Sequence, residues 1–312
     1  MLIVQNTEHF RIESPTIVTI GTFDGVHVGH QKILKRLQEL KQKTGLKTVV
    51  LTFEPHPRKV LFPEQKDLKL LTLIDEKLEL FETYGVDVAV VYPFSKAFSE
   101  MDAQFYVEEV LHKELQVKHL VIGYDHKFGK NRGGDIYTLK NYAKQFGFSV
   151  EEISAKDIDT IAISSSKIRK ALEEGQIELA NEYLGHRFFL NGLVVKGKQL
   201  GRTLGYATAN VKPEGEEKII PKTGVYFVEV LVDGAPYFGM MNVGLNPTTD
   251  ADEAIKLEVH IFDFTADIYN KTIKLNFLKR IRDEKKFSNL TELKMALNED
   301  KEICLQLRPE YS

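Results

Sequence analysis

Cysteine is nearly absent: Cys304 is the only one in 312 residues. A single thiol excludes an intramolecular disulfide framework and a cysteine-based zinc site, and it suits a reducing compartment. Neither charge sign is in excess. Against 45 Asp and Glu stand 42 Lys and Arg, a formal net charge of -3, so no global pull toward nucleic acid or anionic membrane is expected. Long apolar runs are missing, since no stretch nears the roughly 18 residues that span a bilayer. The N-terminal MLIVQNTEHFRIESP has no basic segment followed by a long apolar core. Low-complexity tracts and obvious internal repeats are lacking as well. What remains is an ordinary globular composition, 43% hydrophobic and 28% charged. At about 150 residues per domain the length suits about two domains. The expectation is a cytoplasmic protein with two cores and no nucleic-acid or membrane partner.

The first half alternates between two patterns. β-Branched runs predict strands over Thr16–Ile20, Lys47–Phe53, Val86–Val91, Val117–Gly123 and Phe148–Ile153. Amphipathic stretches between them predict helices over His30–Lys43, Asp75–Tyr84, Ala103–Leu115 and Ile136–Phe146. Gly45, Gly85 and Gly147 stand where helix C-terminal glycines belong. Strands alternating with such helices imply βαβ units and a parallel sheet. Near residue 185, after a helical connection, the chain becomes strand-rich. Strands are expected over Phe188–Val195, Tyr206–Val211, Val225–Val232, Tyr237–Val243, Leu257–Phe264 and Thr272–Leu278. Asp233-Gly234 is a hairpin signal, because both residues tolerate the positive φ of a tight primed turn. A helix over Leu290–Leu307 closes the chain. Many short strands with a terminal helix predict a small barrel. The predicted domains are 1–185 and 186–312.

GTFDGVHVGH, Gly21 to His30, places two histidines where the first strand turns into the first helix. Three readings of His27 and His30 stand open on the residues. They can be polar surface at a glycine-rich turn. They can be metal ligands, with His56 the only nearby third candidate. Or they can hold phosphates, because a helix N-terminus presents free N–H groups and partial positive charge, and glycine lets backbone approach an anion closely. The spacing His27-Val28-Gly29-His30 after a strand resembles the HxGH signature of the nucleotidyltransferase superfamily. A second superfamily element, a serine-bearing helix start with basic residues, is matched by Ile163-Ser164-Ser165-Ser166-Lys167-Ile168-Arg169. Its serines also suit plain helix capping.

The resemblance then narrows. GTFDGVHVGHQ, LTFEPHPRKV, VIGYDHKFGKNRGGD and ISSSKIRKAL in the first half, with GKQLGRTLGYATANV, PKTGVYFVEV, MNVGLNPTTD, LEVHIFDFTADIYN and FLKRIRDEKKF in the second, resemble in order the prokaryotic bifunctional riboflavin kinase/FAD synthetases. The match covers nearly the whole chain. It implies an N-terminal Rossmann-like α/β nucleotidyltransferase domain and a six-stranded flavokinase barrel with a C-terminal helix. The implied reactions are riboflavin plus ATP to FMN, then FMN plus ATP to FAD and pyrophosphate, each with Mg²⁺. Weak self-association is implied too, without a fixed stoichiometry.

For adenylyl transfer the resemblance implies His27 and His30 at the ATP phosphates, with Gly21, Phe23, Asp24 and Gly29 shaping the turn. Ser164, Ser165 and Arg169 would hold the other side of the phosphates, and Asp125 would contact nucleotide or flavin. For the kinase, Gly197, Lys198, Gly201 and Arg202 form a basic glycine loop for ATP. Thr208 and Asn210 would hold Mg²⁺ and phosphate, as hard oxygen donors suit that ion. Glu258 would be the base for the ribityl hydroxyl, with His260 and Phe262 on its face of the strand. Arg280, Arg282, Glu284 and Phe287 fall in the segment that the family uses around the flavin.

The chain departs from the family at three places. Ala207 stands where proline usually precedes Thr208, so the turn loses a fixed φ. His126 replaces a common phenylalanine, and Ser166 a common threonine. Two rivals follow: a monofunctional FAD synthetase whose barrel only binds flavin, and a non-enzymatic flavin- or RNA-binding regulator. A cytidylyl- or pantetheine-type transferase shares the histidine turn but leaves the second half unexplained.

Overall fold

The computed structural model describes residues 1–5, 7, 10–65, 67–124, 128–129, 134–154, 163–197, 205–246 and 254–311. The chain divides into two compact units. One is Met1–Leu68 with Ile74–Ser164; the other is Lys69–Leu73 with Ser165–Ser312. The units part at Ser164–Ser165, ahead of the change of patterning at about 185.

The first unit is built on a sheet of six strands, β1 (Leu2–Val4), β2 (Thr16–Ile20), β3 (Lys47–Glu54), β4 (Val88–Pro93), β5 (Val117–Gly123) and β6 (Ser149–Ile153). Their order is β1-β4-β3-β2-β5-β6, all parallel. Every residue of β2 is buried, as a central strand covered on both faces requires. The helices are α1 (Val28–Thr44), α2 (Pro57–Leu61), α3 (Ile74–Thr83), α4 (Lys96–Ser99), α5 (Ala103–Tyr106) and α6 (Ile136–Phe146). Left-handed Gly45 and Gly147 end α1 and α6, as expected. The helix expected over Ala103–Leu115 changes pitch: after α5, Val107–Glu114 is a π-helix that puts Val107, Val110 and Leu111 into the core. From β2 the chain runs to β3 and β4 on one side, then crosses to β5 and β6 on the other. The order therefore reverses beside β2, and in such sheets the crevice at the strands' carboxyl ends is where ligands bind.

The second unit is a closed antiparallel barrel preceded by α7 (Ser165–Glu174) and α8 (Ile177–Leu184). Its strands are β7 (Phe189–Val195), β8 (Ala209–Pro213), β9 (Gly224–Val232), β10 (Ala235–Asn246), β11 (Ala254–Ile261) and β12 (Thr272–Arg282), closed in the order β10-β11-β8-β7-β12-β9. The Asp233-Gly234 turn has φ of 49° and 81°, the double left-handed geometry its sequence signals. The strand expected from Tyr206 begins instead at Ala209, and the one expected to reach Phe264 ends at Ile261. Helix α9 (Leu290–Leu307) is capped by Asn289, which accepts from Glu292 N–H at 2.9 Å. Lys69–Leu73 belongs to this unit by hydrogen bonding. Leu70 pairs in parallel with Lys218, and Lys218 Nζ donates to Leu71 O at 2.7 Å.

Candidate functional site

Among the described residues of the first unit, the turn between β2 and α1 gathers the most positive φ values. Phe23, Gly25 and Val26 have φ of 48°, 84° and 39°. Only glycine takes that region at no steric cost, and a β-branched residue there is an outlier. Such strain persists where the surroundings over-determine it. Phe23 and Val26 are both buried, Val26 N–H donates to Phe23 O at 3.0 Å, and Gln31 Nε2 donates to Val26 O at 2.9 Å. Gly25 is thus the glycine that supplies left-handed backbone. Gly29 is instead buried in the first turn of α1, and a methyl on Gly21 would lie 3.1 Å from the Phe23 ring.

His27 is the N-cap residue of α1. Its ring stacks on His30 with centroids 3.7 Å apart and planes at 16°. His30 also packs on Phe23 at 5.0 Å, and Phe23 meets Phe81 of α3 edge-on at 5.4 Å. Nδ1 of His30 is buried and has no hydrogen-bond partner among the described residues. Burial first, then the neighbouring His27 and Lys77, hold His30 well below the ordinary histidine pKa. The pair is therefore neutral at pH 7 on the His30 side, packed, and set at the head of a helix. With His27 buried and Nδ1 of His30 shielded from solvent, the two rings are not solvent-facing polar groups. Nor does the metal reading gain a third ligand: Nδ1 of His56 accepts from Arg58 N–H at 3.2 Å and caps α2. Among the described residues no group of three or more His, Cys, Asp or Glu is placed to hold a metal.

The first unit thus brings together Gly21, Phe23, Asp24, His27, Gly29 and His30. Helix α7 begins at Ser165, directly after the exposed Ser164. In the second unit Arg169 Nε donates to Lys69 O at 2.6 Å. Asp125, Lys198, Gly201, Arg202 and His126 lie outside the described residues.

In the barrel, Asn210 on β8, Glu258 on β11 and Asn242 on β10 are direct cross-strand partners, one row over three adjacent strands. Lys256 Nζ pairs with Glu258 Oε1 at 2.8 Å. Any Cβ on Gly197 would run into the Asn210 carboxamide, and one on Gly244 would meet Glu284 Oε1 at 2.5 Å and Asn242 Nδ2 at 2.8 Å. Gly197, after β7, and Gly244, within β10, therefore let backbone lie close against the side chains of this row. Half-buried Thr208 precedes β8. Beside it, His260 Nδ1 donates to Ala207 O at 2.8 Å, a tie to a carbonyl that alanine and proline both possess. Arg280 Nη2 donates to Thr223 O and Asp283 Oδ1, each at 2.7 Å. Arg282 forms a two-pronged pair with buried Asp300 at 2.8 and 2.7 Å, with its guanidinium 5.9 Å over Phe287.

Three residues escaped the sequence reading: Lys77, Asn242 and Lys256. Lys77 looks like an ordinary charged helix residue in DEKLEL, yet it is buried. Asn242 and Lys256 take their places from strand register, which only the folded sheet supplies.

A parallel sheet with a strained histidine turn at its switch point, followed by a closed barrel with a carboxylate set between two carboxamides, defines a two-domain nucleotide-handling transferase. The family described as FAD synthetase matches residues 9–167, and that described as riboflavin kinase matches 184–307. Proteins named bifunctional riboflavin kinase/FMN adenylyltransferase are similar over nearly the whole length. That of Listeria monocytogenes is 37% identical over 92% of this chain and 90% of its own. The Bacillus subtilis protein is 36% identical over 94% and 93%, and that of Escherichia coli K12 39% identical over 91% and 90%. The chain belongs to this bifunctional riboflavin kinase/FMN adenylyltransferase family. A crystal structure described as a macrolide-efflux protein from Streptococcus pneumoniae shares the fold at a TM-score of 0.90 and 32% identity, over 97% of this chain and 99% of that one. No helix among the described residues here is long and apolar enough to cross a membrane.

Proposed function

We propose that this chain makes FAD from riboflavin in two steps. The barrel transfers the γ-phosphoryl group of ATP to riboflavin, giving FMN and ADP. The α/β domain then transfers the adenylyl group of a second ATP to FMN, giving FAD and pyrophosphate. The observation that carries the reading is the packed His27–His30 pair at the switch point of the parallel sheet, in a chain whose halves match an FAD synthetase and a riboflavin kinase.

In adenylyl transfer the FMN phosphate attacks the α-phosphorus of ATP in line, and the protein's task is positioning and charge stabilisation. His27 and His30 hold the triphosphate at the helix head, within reach of the free N–H groups of α1. A neutral His30 donates a hydrogen bond to phosphate without holding the leaving pyrophosphate as a fixed cation would. Ser164, Ser165 and Arg169 are proposed as donors to that pyrophosphate, and Asp125 as a contact to nucleotide or flavin.

In phosphoryl transfer Glu258 takes the proton of the ribityl hydroxyl as its oxygen attacks the γ-phosphorus. Asn210 and Asn242 stand opposite it on the neighbouring strands, and the Lys256 ammonium lies 2.8 Å from its carboxylate. Thr208 and Asn210 are proposed to hold Mg²⁺, because a hydroxyl and a carboxamide oxygen are hard donors that suit this ion, and the Gly197 backbone lies close against the Asn210 side chain. The ion would neutralise phosphate charge there. Gly197, Lys198, Gly201 and Arg202 are proposed around ATP, and Arg280, Arg282, Glu284 and Phe287 around the flavin. Residues 1–185 are assigned to adenylyl transfer and 186–312 to the kinase. The single thiol suits a cytoplasmic setting, and the near-balanced charge suits small-molecule substrates without a nucleic-acid partner; weak self-association is proposed from the family resemblance alone.

The test is a time course with riboflavin, ATP and Mg²⁺, separating riboflavin, FMN and FAD. FMN followed by FAD is expected. FAD from supplied FMN, but no FMN from riboflavin, would leave only the adenylyltransferase and favour a barrel that merely binds flavin.

A further inference from the structure

A short strip from the first half of the chain is built into the barrel unit, and Arg169 is tied to it. Lys69–Leu73 lies along residues 216–219. Leu70 N–H donates to Glu217 O at 2.7 Å, Ile219 N–H donates to Leu70 O at 2.9 Å, and Lys69 Nζ donates to Glu216 O at 2.8 Å. Lys218 completes the pairing with its side chain. It is 3% exposed, and its Nζ donates to Leu71 O at 2.7 Å. The same atom lies 4.8 Å from the ring centre of Phe188 and 5.4 Å from that of Phe189. At the start of the strip, the Lys69 carbonyl accepts from Arg169 Nε at 2.6 Å. Helix α7, which carries Arg169, is held from the same stretch of the barrel unit. Lys222 N–H donates to Leu172 O at 3.0 Å, and Ile168, Ala171 and Leu172 are buried.

Residues 216–222 therefore fix both ends of the Arg169 bond, the strip that accepts and the helix that donates. The consequence is directional. A guanidinium is planar and rigid, so a bond from Nε to an anchored carbonyl sets the plane of its other N–H groups. That fork is the group that recognises phosphate oxygens in pairs. An apolar side chain at position 218 would fill the space beside Phe188 and Phe189 without the desolvation cost of a buried amine. What the amine adds is its bond to the strip.

We propose that Lys218 is a positioning residue for adenylyl transfer: from the barrel unit it pins the strip at Leu71, and the pinned Lys69 carbonyl aims the Arg169 guanidinium. The inference rests on reading Arg169 as a donor to the leaving pyrophosphate.

The experiment uses the full chain with Lys218→Met, Arg169→Ala and the two together. The reverse reaction of FAD with pyrophosphate reads the adenylyltransferase, and FMN formation from riboflavin reads the kinase. Arg169→Ala should raise KM for pyrophosphate about tenfold or more, the scale of a lost hydrogen bond to a charged group. Lys218→Met alone should raise it about tenfold, since a small misplacement costs up to about 10², and should leave the kinase constants in place. Beside Arg169→Ala, the same change should add less than about twofold, because residues that act through one another are not additive. An equal rise in both backgrounds, or a parallel loss of kinase activity, would reduce Lys218 to general support of the fold and overturn the inference. So would a Lys218→Met chain with wild-type KM for pyrophosphate. If Lys218→Met loses its unfolding transition, Lys69→Met takes its place, because it removes only the exposed Lys69 Nζ bond to the same strip. A rise of about threefold that vanishes beside Arg169→Ala is then expected, and no rise, or one that persists, overturns the inference. Wild-type KM in Arg169→Ala would overturn the reading of Arg169 and the inference with it. A wild-type chain that makes no FAD from FMN would instead overturn the adenylyltransferase reading itself.

Discussion

The ammonium of Lys256 stands 2.8 Å from the carboxylate of Glu258, on the same face of β11. The proposed base is thereby held beside a cation, with Asn210 and Asn242 opposite it on the flanking strands. Glu258→Gln keeps shape and hydrogen bonding but cannot take the proton. FMN formation should fall by about 10²- to 10⁴-fold, the usual worth of a positioned base. FAD formation from supplied FMN should not change. Steady-state assays of the two half-reactions on one preparation check both statements.

Gly197→Ala places a methyl group against the Asn210 carboxamide. Backbone or side chain must move, and Gly197 can no longer lie as close to Asn210. Kinase KM for ATP should rise about tenfold or more, as expected where a small misplacement costs up to about 10² in rate. Adenylyl transfer should be untouched, and a thermal melt should show little loss of stability.

Glu114 ends the π-helical segment, and burial, then Glu109, raise its carboxyl to about 7 from 4.5. The folded chain binds this proton more tightly than the unfolded chain does. Stability from this group is therefore full below about 4.5 and is lost as pH rises toward 7. Glu114→Gln, which is always neutral, should raise the unfolding midpoint relative to wild type at pH 8 and leave it unchanged at pH 4. Melting curves at the two pH values isolate the effect from His30. Its depressed pKa acts in the opposite sense, with stability present above the ordinary histidine value and lost as pH falls below it.

Asp300 lies buried in α9 and is held by both arms of Arg282. Removing one partner of such a pair leaves a buried charge uncompensated, at a cost of about 3–5 kcal/mol. Arg282→Met should show that loss in urea unfolding. The double change Arg282→Met with Asp300→Leu should recover most of it. If Arg282 also binds flavin, the double variant regains stability but keeps a raised KM for riboflavin.

Much of this was legible because local pattern and tertiary role agree. The β-branched runs of β2 and β5 fixed those strands to the residue, and Asp233-Gly234 fixed the β9–β10 hairpin. The histidine turn could be placed at a strand end because its neighbours on both sides are unambiguous. Where role depends on distant pairing, the sequence was silent. β1 is three residues long and exists through its pairing with β4. Asn242 gains its meaning from standing opposite Glu258. Val26 resembles any apolar residue, and its left-handed backbone follows from the buried packing around the turn. Lys77 and its buried neighbour Glu76 could not be told from the exposed Asp75 and Glu79 until α3 was laid against β3.

The pentapeptide Lys69–Leu73 has one more consequence, for any attempt to cut this protein in two. It comes from the first half of the chain, yet it hydrogen-bonds along residues 216–219 of the second unit and receives Arg169 Nε on the Lys69 carbonyl. The second unit is therefore not a continuous stretch of polypeptide. A fragment that starts at residue 165 or 186 leaves this strip behind, and with it the Leu71 carbonyl that Lys218 binds. On the ribosome, the barrel unit has its first piece in hand well before its strands are made, and it must wait for them.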